Sequence, residues 1–102
     1  MKKIINGKMY DTETAKFLGS YHGGGNQRNF NYFEENLYIK KTGEYFIQGW
    51  GNANSKYREY YDDNNWGGGE EIVPLTEAEA EEWVMEHLTA DEFEEIFGEV
   101  EE

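Results

Sequence analysis

The chain has 102 residues, of which 37% are hydrophobic and 17% aromatic, and its formal net charge at pH 7 is −13. It contains no cysteine, which excludes a disulfide framework and thiolate chemistry. The acidic balance argues against direct binding to nucleic acid, because phosphate contacts require Lys and Arg. Aromatic residues in alternating runs and a single proline argue against disorder, so we expect one folded domain over residues 1–102.

The sequence also bears on where the protein acts. No stretch approaches the ~18 apolar residues of a membrane-spanning helix. The lysine-containing start lacks the apolar core of a signal peptide. We therefore expect a cytoplasmic protein with no membrane partner. Its acidity favours basic protein partners, although cations or plain solubility would also explain it.

The first predicted element is a hairpin over residues 3–10. Asn6 and Gly7 supply the two positive φ angles of a type I′ turn, which places Ile5 opposite Lys8.

A short helix is predicted next, over residues 11–19, with Asp11 or Thr12 as its N-cap and Gly19 as its end. Residues 20–29 then read as a loop with three successive glycines. Such a loop can cradle phosphate only in a strand–loop–helix context, which is missing here. We therefore expect a plain connection.

The structural centre is a hairpin of two alternating runs, residues 37–40 and 44–48. A three-residue loop ending at Gly43 joins them. In that register Leu37 faces Ile47, so large apolar groups share one face of the hairpin.

The flanking segments follow from turn and strand signals. We expect the first central strand to be extended by Phe30, Tyr32 and Phe33. For residues 55–61 we favour a strand, and the alternative is one helical turn with Ser55 as its N-cap. The other predictions are a break at residues 49–54, a loop at 62–69 and a short strand at 71–74, whose hydrogen bonding Pro74 ends.

Two helices are predicted at the C-terminus. Thr76 with Glu79, and Thr89 with Glu92, form two capping boxes, and Gly98 is a stop signal. The apolar residues of both helices recur at helical spacing and are expected to pack on the sheet. They are Ala80, Trp83, Val84, Leu88, Phe93, Ile96 and Phe97.

The predicted fold class is therefore α+β. It is a small antiparallel β-sheet built from hairpins, with two short acidic C-terminal helices packed on one face. Residues 1–73 are mainly β, residues 74–98 are helical, and residues 99–102 are expected to fray.

The helices carry the charge. Residues 70–102 contain 14 Asp and Glu and no Lys or Arg, whereas residues 1–69 have a net charge of +1. Along the first helix the carboxylates recur every ~4 Å, close to the ~3.4 Å between charges on one DNA strand. This density fits a phosphate mimic, and it fits equally a solvated face that maintains solubility. The predicted partner-binding residues are Glu77, Glu79, Glu81, Glu82, Glu86, Asp91, Glu92, Glu94 and Glu95.

Catalysis has weaker support. Four carboxylates lie near the aromatic strands, where a glycosidase would need two acids flanking a sugar. No spacing singles out a pair, so we predict no catalytic residue and no enzyme. The four are Glu34, Glu35, Glu44 and Glu59.

Metal binding is likewise not expected. His22 and His87 lack the spacing of clustered zinc ligands. Asp62 and Asp63 do not match the spacing of an EF-hand. We therefore predict neither a metal nor a cofactor.

Residues 3–15, 38–46 and 72–80 together carry a resemblance. With these motifs the chain resembles small acidic proteins of phages and mobile elements of Gram-positive bacteria. Some of these resemble anti-CRISPR proteins, which block Cas effectors, often by occupying nucleic-acid-binding surfaces. The resemblance implies an inhibitor by analogy and assigns no inhibitory residue.

The sequence thus predicts a non-enzymatic acidic binding protein of a phage or mobile element. Its partner would be a basic nucleic-acid-binding defence protein, such as a CRISPR effector, inhibited by nucleic-acid mimicry. One alternative is an antitoxin or immunity-type module for a basic partner, and another is a glycan-binding domain. The oligomeric state stays open, as does the choice between acidic helices and aromatic sheet as the contact face.

Overall fold

A computed structural model describes all residues, 1–102, and shows eight β-strands followed by two α-helices. The α+β class predicted from the sequence is confirmed. The strands are β1 (Lys2–Ile5), β2 (Lys8–Asp11), β3 (Lys16–Gly23), β4 (Phe33–Ile39), β5 (Tyr45–Gly51), β6 (Glu59–Asp62), β7 (Asn65–Gly67) and β8 (Gly69–Leu75). The helices are α1 (Glu77–His87) and α2 (Ala90–Phe97).

The core of the molecule is a four-stranded antiparallel sheet in the order β3-β4-β5-β8. The β6–β7 hairpin interrupts the chain between β5 and β8 and forms its own two-stranded sheet. Both helices lie on one face of the central sheet, as predicted. Leu37 and Ile47 of the sheet pack there with Ala80, Trp83 and Val84 of α1.

The central hairpin has the predicted register. Leu37 pairs with Ile47. Gly43 closes the loop with a φ of 91°, and the Lys40 amide donates to the Glu44 carbonyl at 2.8 Å. Apolar residues of the two strands therefore alternate between the two faces in step, which gives each face its own hydrophobic cluster.

The N-terminal hairpin, β1–β2, covers the opposite face of the sheet. Its turn has the predicted positive φ angles, 52° at Asn6 and 76° at Gly7. Tyr10 of β2 packs with Phe46 and Ile72 in a second buried cluster. The sheet is thus enclosed between helices on one side and a hairpin on the other.

Glu44 ties this hairpin to the sheet. Its carboxylate lies 2.9 Å from Lys8 Nζ and 3.2 Å from Lys40 Nζ, and Thr42 Oγ1 donates to it at 2.9 Å. The hydrogen bonds from Lys8, Thr42 and Lys40 lower the pKa of Glu44 to about 2. The carboxylate therefore stays ionised across the physiological pH range, and it joins both hairpins through an exposed contact with Lys8 and a partly buried contact with Lys40.

The predicted helix over residues 11–19 is wrong. Only one turn forms, where the Ala15 amide donates to the Asp11 carbonyl at 3.0 Å. The chain then enters β3, which pairs along β4 as far as Gly23 and includes the first residues of the predicted loop. Pairing of residues 16–23 with β4 outweighs the local capping signals, because it adds a strand to the central sheet. Gly19, which has no side chain, leaves room on this strand for Leu88 of the helical layer.

The predicted break at residues 49–54 is also wrong at its start, because β5 continues through Gly51. A side chain at Gly49 would overlap the ring of Tyr57, and one at Gly51 would overlap Ser55. The glycines therefore mark places where another segment lies on the strand, which is a known use of glycine inside strands.

Several flanking predictions hold only in part. Residues 55–58 turn, with the Arg58 amide donating to the Ser55 carbonyl at 3.2 Å, before β6 begins. The predicted loop at 62–69 contains β7. Of the three aromatic residues expected to extend the first central strand, only Phe33 belongs to β4, and Phe30 and Tyr32 precede it. The last predicted strand extends one residue past Pro74, since Leu75 still pairs with Tyr45.

Both helix starts agree with the prediction. Thr76 and Thr89 form reciprocal capping boxes with the acids three residues later, and Gly98 caps α2 with a φ of 98°. The helices have 11 and 8 residues, and neither is long and apolar enough to cross a membrane. Residues 99–102 continue without helix or strand.

We predict that Gly49→Ala lowers the free energy of unfolding by about 1–3 kcal/mol, because the new methyl group must displace the buried Tyr57 ring. The matched control is Gly19→Ala, whose methyl would lie 2.7 Å from a flexible Leu88 methyl carbon. That variant should lose less than about 1 kcal/mol. Urea unfolding measures both, and equal losses would contradict the close approach of Tyr57 to β5.

Candidate functional site

The nine carboxylates predicted as partner-binding lie on α1 and α2, and seven are exposed while Glu81 and Glu92 are half-buried. No Lys or Arg forms an ion pair with any of them, and the nearest base is His87, 3.8 Å from Glu86. The helical layer therefore presents its negative charge to solvent largely uncompensated.

These carboxylates do not form one flat surface. Glu77 and Glu81 lie near Tyr45, whose pKa is raised by burial and then by the charges of these two acids. Their side of α1 therefore faces the end of the sheet at which β5 begins. Glu82 and Asp91 lie opposite the buried stripes of their helices, at about 100° per residue, and face away from the sheet.

Glu92 and Glu95 border a cavity of about 230 Å³ between α2 and the sheet. Lys16 of β3 and the ring of Phe17 line the same cavity. Lys16 forms no ion pair with either acid, but it places one positive charge beside this part of the acidic layer.

Two of the predicted residues have a structural role. Glu79 Oε1 accepts the Thr76 amide at 2.9 Å, and Glu92 Oε1 accepts the Thr89 amide at 3.1 Å. The Thr76 backbone and side-chain hydrogen bonds hold the pKa of Glu79 below its usual value. Changing either acid would loosen a helix start, so neither is suitable for a test of partner binding.

The structure buries one of the four carboxylates that the sequence places near the aromatic strands. Glu35 of β4 is only 4% exposed, and it lies between the sheet and α1. Its carboxylate accepts hydrogen bonds from Trp83 Nε1 at 3.1 Å and from the Tyr57 hydroxyl, and Lys56 Nζ lies 2.7 Å away. One carboxylate thus joins β4, the segment before β6, and α1.

These donors stabilise the ionised form of the Glu35 carboxylate. Burial raises its pKa, but the hydrogen bonds from Lys56, Tyr57 and Trp83 together lower the pKa below the usual value. Burial and the neighbouring carboxylate raise the pKa of Tyr57, which keeps its hydroxyl protonated as a donor. An ionised carboxylate with all its donors in place holds elements together, and it has no proton to give to a substrate.

A signal for Glu35 was present in the strand pattern. Residues of β4 alternate between faces, and Glu35 lies two residues before Leu37, which is completely buried. A charged residue at an inward position of a strand requires buried partners. Glu34, on the other face, accepts Trp50 Nε1 at 2.6 Å. The two adjacent acids therefore face opposite sides of the sheet and cannot act as a catalytic pair.

A cleft of about 420 Å³ opens beside Glu35. Lys56 and Tyr57 line one side, and Glu86 and His87 of α1 line the other. The His87 ring stacks on Tyr21 at 3.9 Å between centroids and meets Trp83 edge-on, so this histidine packs the helix end against the sheet.

The aromatic residues divide into two groups. Those of the central sheet are mostly buried or half-buried, and they supply its packing. Four others are between 47% and 70% exposed, in the β6–β7 hairpin and in the loop before β4. They are Phe30, Tyr60, Tyr61 and Trp66.

No group of three His, Cys, Asp or Glu residues comes close enough together to hold a metal ion. The carboxylate of Asp62 instead accepts the amides of Asn64 and Asn65 at 2.9 and 3.0 Å. These hydrogen bonds close the β6–β7 turn, which accounts for the polar sequence at this point.

The chain matches no protein-family model, and it matches neither a curated protein nor a solved structure. The charges and contacts described above are therefore the basis for any functional proposal.

We predict that Glu35→Gln lowers the free energy of unfolding by about 2–4 kcal/mol at neutral pH, because an amide cannot satisfy the buried Trp83 and Tyr57 donors together with the Lys56 ammonium. Glu13→Gln, at an exposed acid, is the matched control and should change it by less than about 0.5 kcal/mol. Urea unfolding measures both. An unchanged midpoint for the Glu35 variant would exclude the stabilising role of this carboxylate.

The same carboxylate predicts a pH dependence. Because the folded-state pKa of Glu35 is lowered, its stabilisation is complete above the ordinary carboxyl value of ~4.3 and is lost as pH falls through the folded-state pKa. The stability difference between the wild-type protein and Glu35→Gln should therefore shrink as pH is lowered below ~4. Urea unfolding at a series of pH values checks this, and a constant difference would contradict it.

Proposed function

We propose that the protein is a non-enzymatic inhibitor that binds a basic nucleic-acid-binding protein through the acidic surface of α1 and α2. The observation that supports this proposal is the uncompensated charge of that surface. Residues 70–102 carry 14 carboxylates without one Lys or Arg, and no basic side chain elsewhere in the chain pairs with those of the helices.

Such a surface has a cost. Like charges three or four residues apart repel one another on a helix, and each such pair destabilises it by a few tenths of a kcal/mol. An i+4 lysine would remove this repulsion, yet none occurs in α1 or α2. The acids in the first turns are favoured by the helix dipole, but Glu82, Glu86 and Glu95 lie beyond it.

The partner's chemistry follows from this charge. A nucleic-acid-binding groove concentrates Lys and Arg to neutralise phosphates, and a row of carboxylates at similar spacing competes for the same cations. The expected partner is a bacterial defence protein such as a CRISPR effector, and the site of action is the cytoplasm. Binding would be steered electrostatically, so it would be fast at low salt and weakened as salt screens the charges.

The first experiment is a pull-down with the tagged protein from a Gram-positive bacterial lysate, at low salt and at roughly 0.5 M salt, where the Debye length is ~4 Å. The proposal expects a basic nucleic-acid-binding protein that is retained at low salt and released at high salt. The captured protein should also release its DNA when the acidic protein is added. A partner that is retained at both salt concentrations would indicate that the contact lies at the exposed aromatic residues instead of the acidic helices.

We predict that reversing Glu82, Glu86 and Asp91 to Lys reduces this competition with DNA at least tenfold, because three exposed carboxylates of the binding surface become cations. The triple variant leaves both capping boxes intact, and a mobility-shift assay of the partner–DNA complex measures the effect.

The matched control reverses three exposed acids outside the helices, Glu13, Glu59 and Asp63. It changes the net charge by the same amount and should retain most of the competition. Equal losses in both variants would indicate a general charge effect and would contradict a binding surface on α1 and α2.

A further inference from the structure

An apolar groove lies within the acidic layer, on the outer side of the corner between α1 and α2. It has a volume of about 310 Å³, and its floor is formed by Leu88 and Phe93. Met85 of α1 and Val100, after the end of α2, form its walls, and they are 64% and 59% exposed. These two side chains are apolar groups left in solvent on the most charged part of the chain.

The groove is bordered by carboxylates. Glu94 lines it directly. Glu81 and Glu82 lie one helical turn before Met85 on α1, and Glu99 and Glu101 flank Val100 in sequence. An apolar floor with carboxylates beside it favours an occupant with apolar anchors and positive charges next to them.

This charge also excludes other occupants. A second copy of the chain would bring two such acidic layers together, and the like charges would repel one another. An anionic membrane surface would be repelled for the same reason. A partner with only Lys and Arg would satisfy the carboxylates but leave the apolar floor uncovered.

We propose that this groove binds a short amphipathic basic helix of the partner, with one or two large apolar side chains on the groove floor and Lys or Arg one turn away. Glu81 and Glu82 precede Met85 on α1 by four and three residues, which is about one helical turn, and a partner helix offers the same spacing between its own anchors and charges. Binding of an amphipathic helix in an apolar groove is a recurring mode of peptide recognition. The inference rests on the proposed function and adds the apolar anchor to it.

The test uses a synthetic, fluorescently labelled peptide of about five helical turns, made of Leu and Lys with all Leu on one helical face. A scrambled peptide of the same composition has no apolar face and serves as the charge control. Fluorescence anisotropy measures binding to the full-length protein at low salt and at roughly 0.5 M salt. The patterned peptide should bind more tightly than the scrambled peptide and should keep more of its affinity at high salt.

The variant Met85→Ser with Val100→Ser should weaken binding of the patterned peptide about tenfold, because it removes the exposed walls of the groove without changing charge. The matched control is Ile4→Ser, at an apolar residue of β1 that is 65% exposed, and it should bind as the wild-type protein does. In NMR spectra, the patterned peptide should shift the signals of Leu88 and Phe93. Equal binding of both peptides, or unchanged binding to the double variant, would overturn the proposal.

The two proposals fail in different ways. If the charge-reversal variant still competes with DNA while peptide binding requires Met85 and Val100, the mimicry proposal is wrong and the groove is a peptide site. If the affinity of the peptide does not depend on Met85 and Val100 while charge reversal abolishes competition with DNA, the groove proposal is wrong and the acidic surface alone accounts for binding.

Discussion

The ionised carboxylate of Glu35 is the interaction on which the arrangement of the layers depends. It is buried against the central sheet, and it is tolerated there because Trp83, Tyr57 and Lys56 all direct donors at it. Trp83 lies on α1, and Lys56 and Tyr57 lie in the segment before β6, so satisfying one charge fixes these two parts of the chain together. Gly49 completes this arrangement, since the Tyr57 ring lies on its backbone. The position of α1 is therefore determined by directional hydrogen bonds as well as by apolar burial.

This anchoring explains how a helical layer with so little charge compensation is held in place. The carboxylates on the surfaces of α1 and α2 repel one another. The isolated helices, at 11 and 8 residues, are also too short to be stable in water. Their stability comes from the inner side, where Ala80 and Val84 are fully buried against the sheet. The outer side is thus free to carry carboxylates at high density, because the fold does not depend on favourable interactions there.

The sequence predicted the parts of the fold that local chemistry controls. The Asn6-Gly7 turn, the register around Gly43 and both capping boxes depend on neighbouring residues, and they occur as predicted. The segments predicted wrongly are those in which a distant part of the chain decides the outcome. Residues 11–19 have capping signals, but pairing with β4 makes the last part of the segment, residues 16–19, the start of a strand. The role of Glu35 could be suspected from its inward position, but its donors lie 21, 22 and 48 residues away. The acidic residues could be identified from sequence, whereas their distribution around the helices and the groove beside Met85 required the structure.

The open edges of the central sheet have a consequence for how the protein behaves at high concentration. An unpaired edge strand can recruit a strand of another molecule and begin aggregation. On β8 this edge carries Glu70 and Glu71 near its start and Pro74 near its end, and a proline offers no amide to an incoming strand. On β3 the register shifts between Phe17 and Gly19, and such a bulge distorts the edge that a second strand would need to match. Both free edges of the central sheet are thus protected against strand addition. The protein can therefore reach a high concentration without the sheets of neighbouring molecules joining edge to edge.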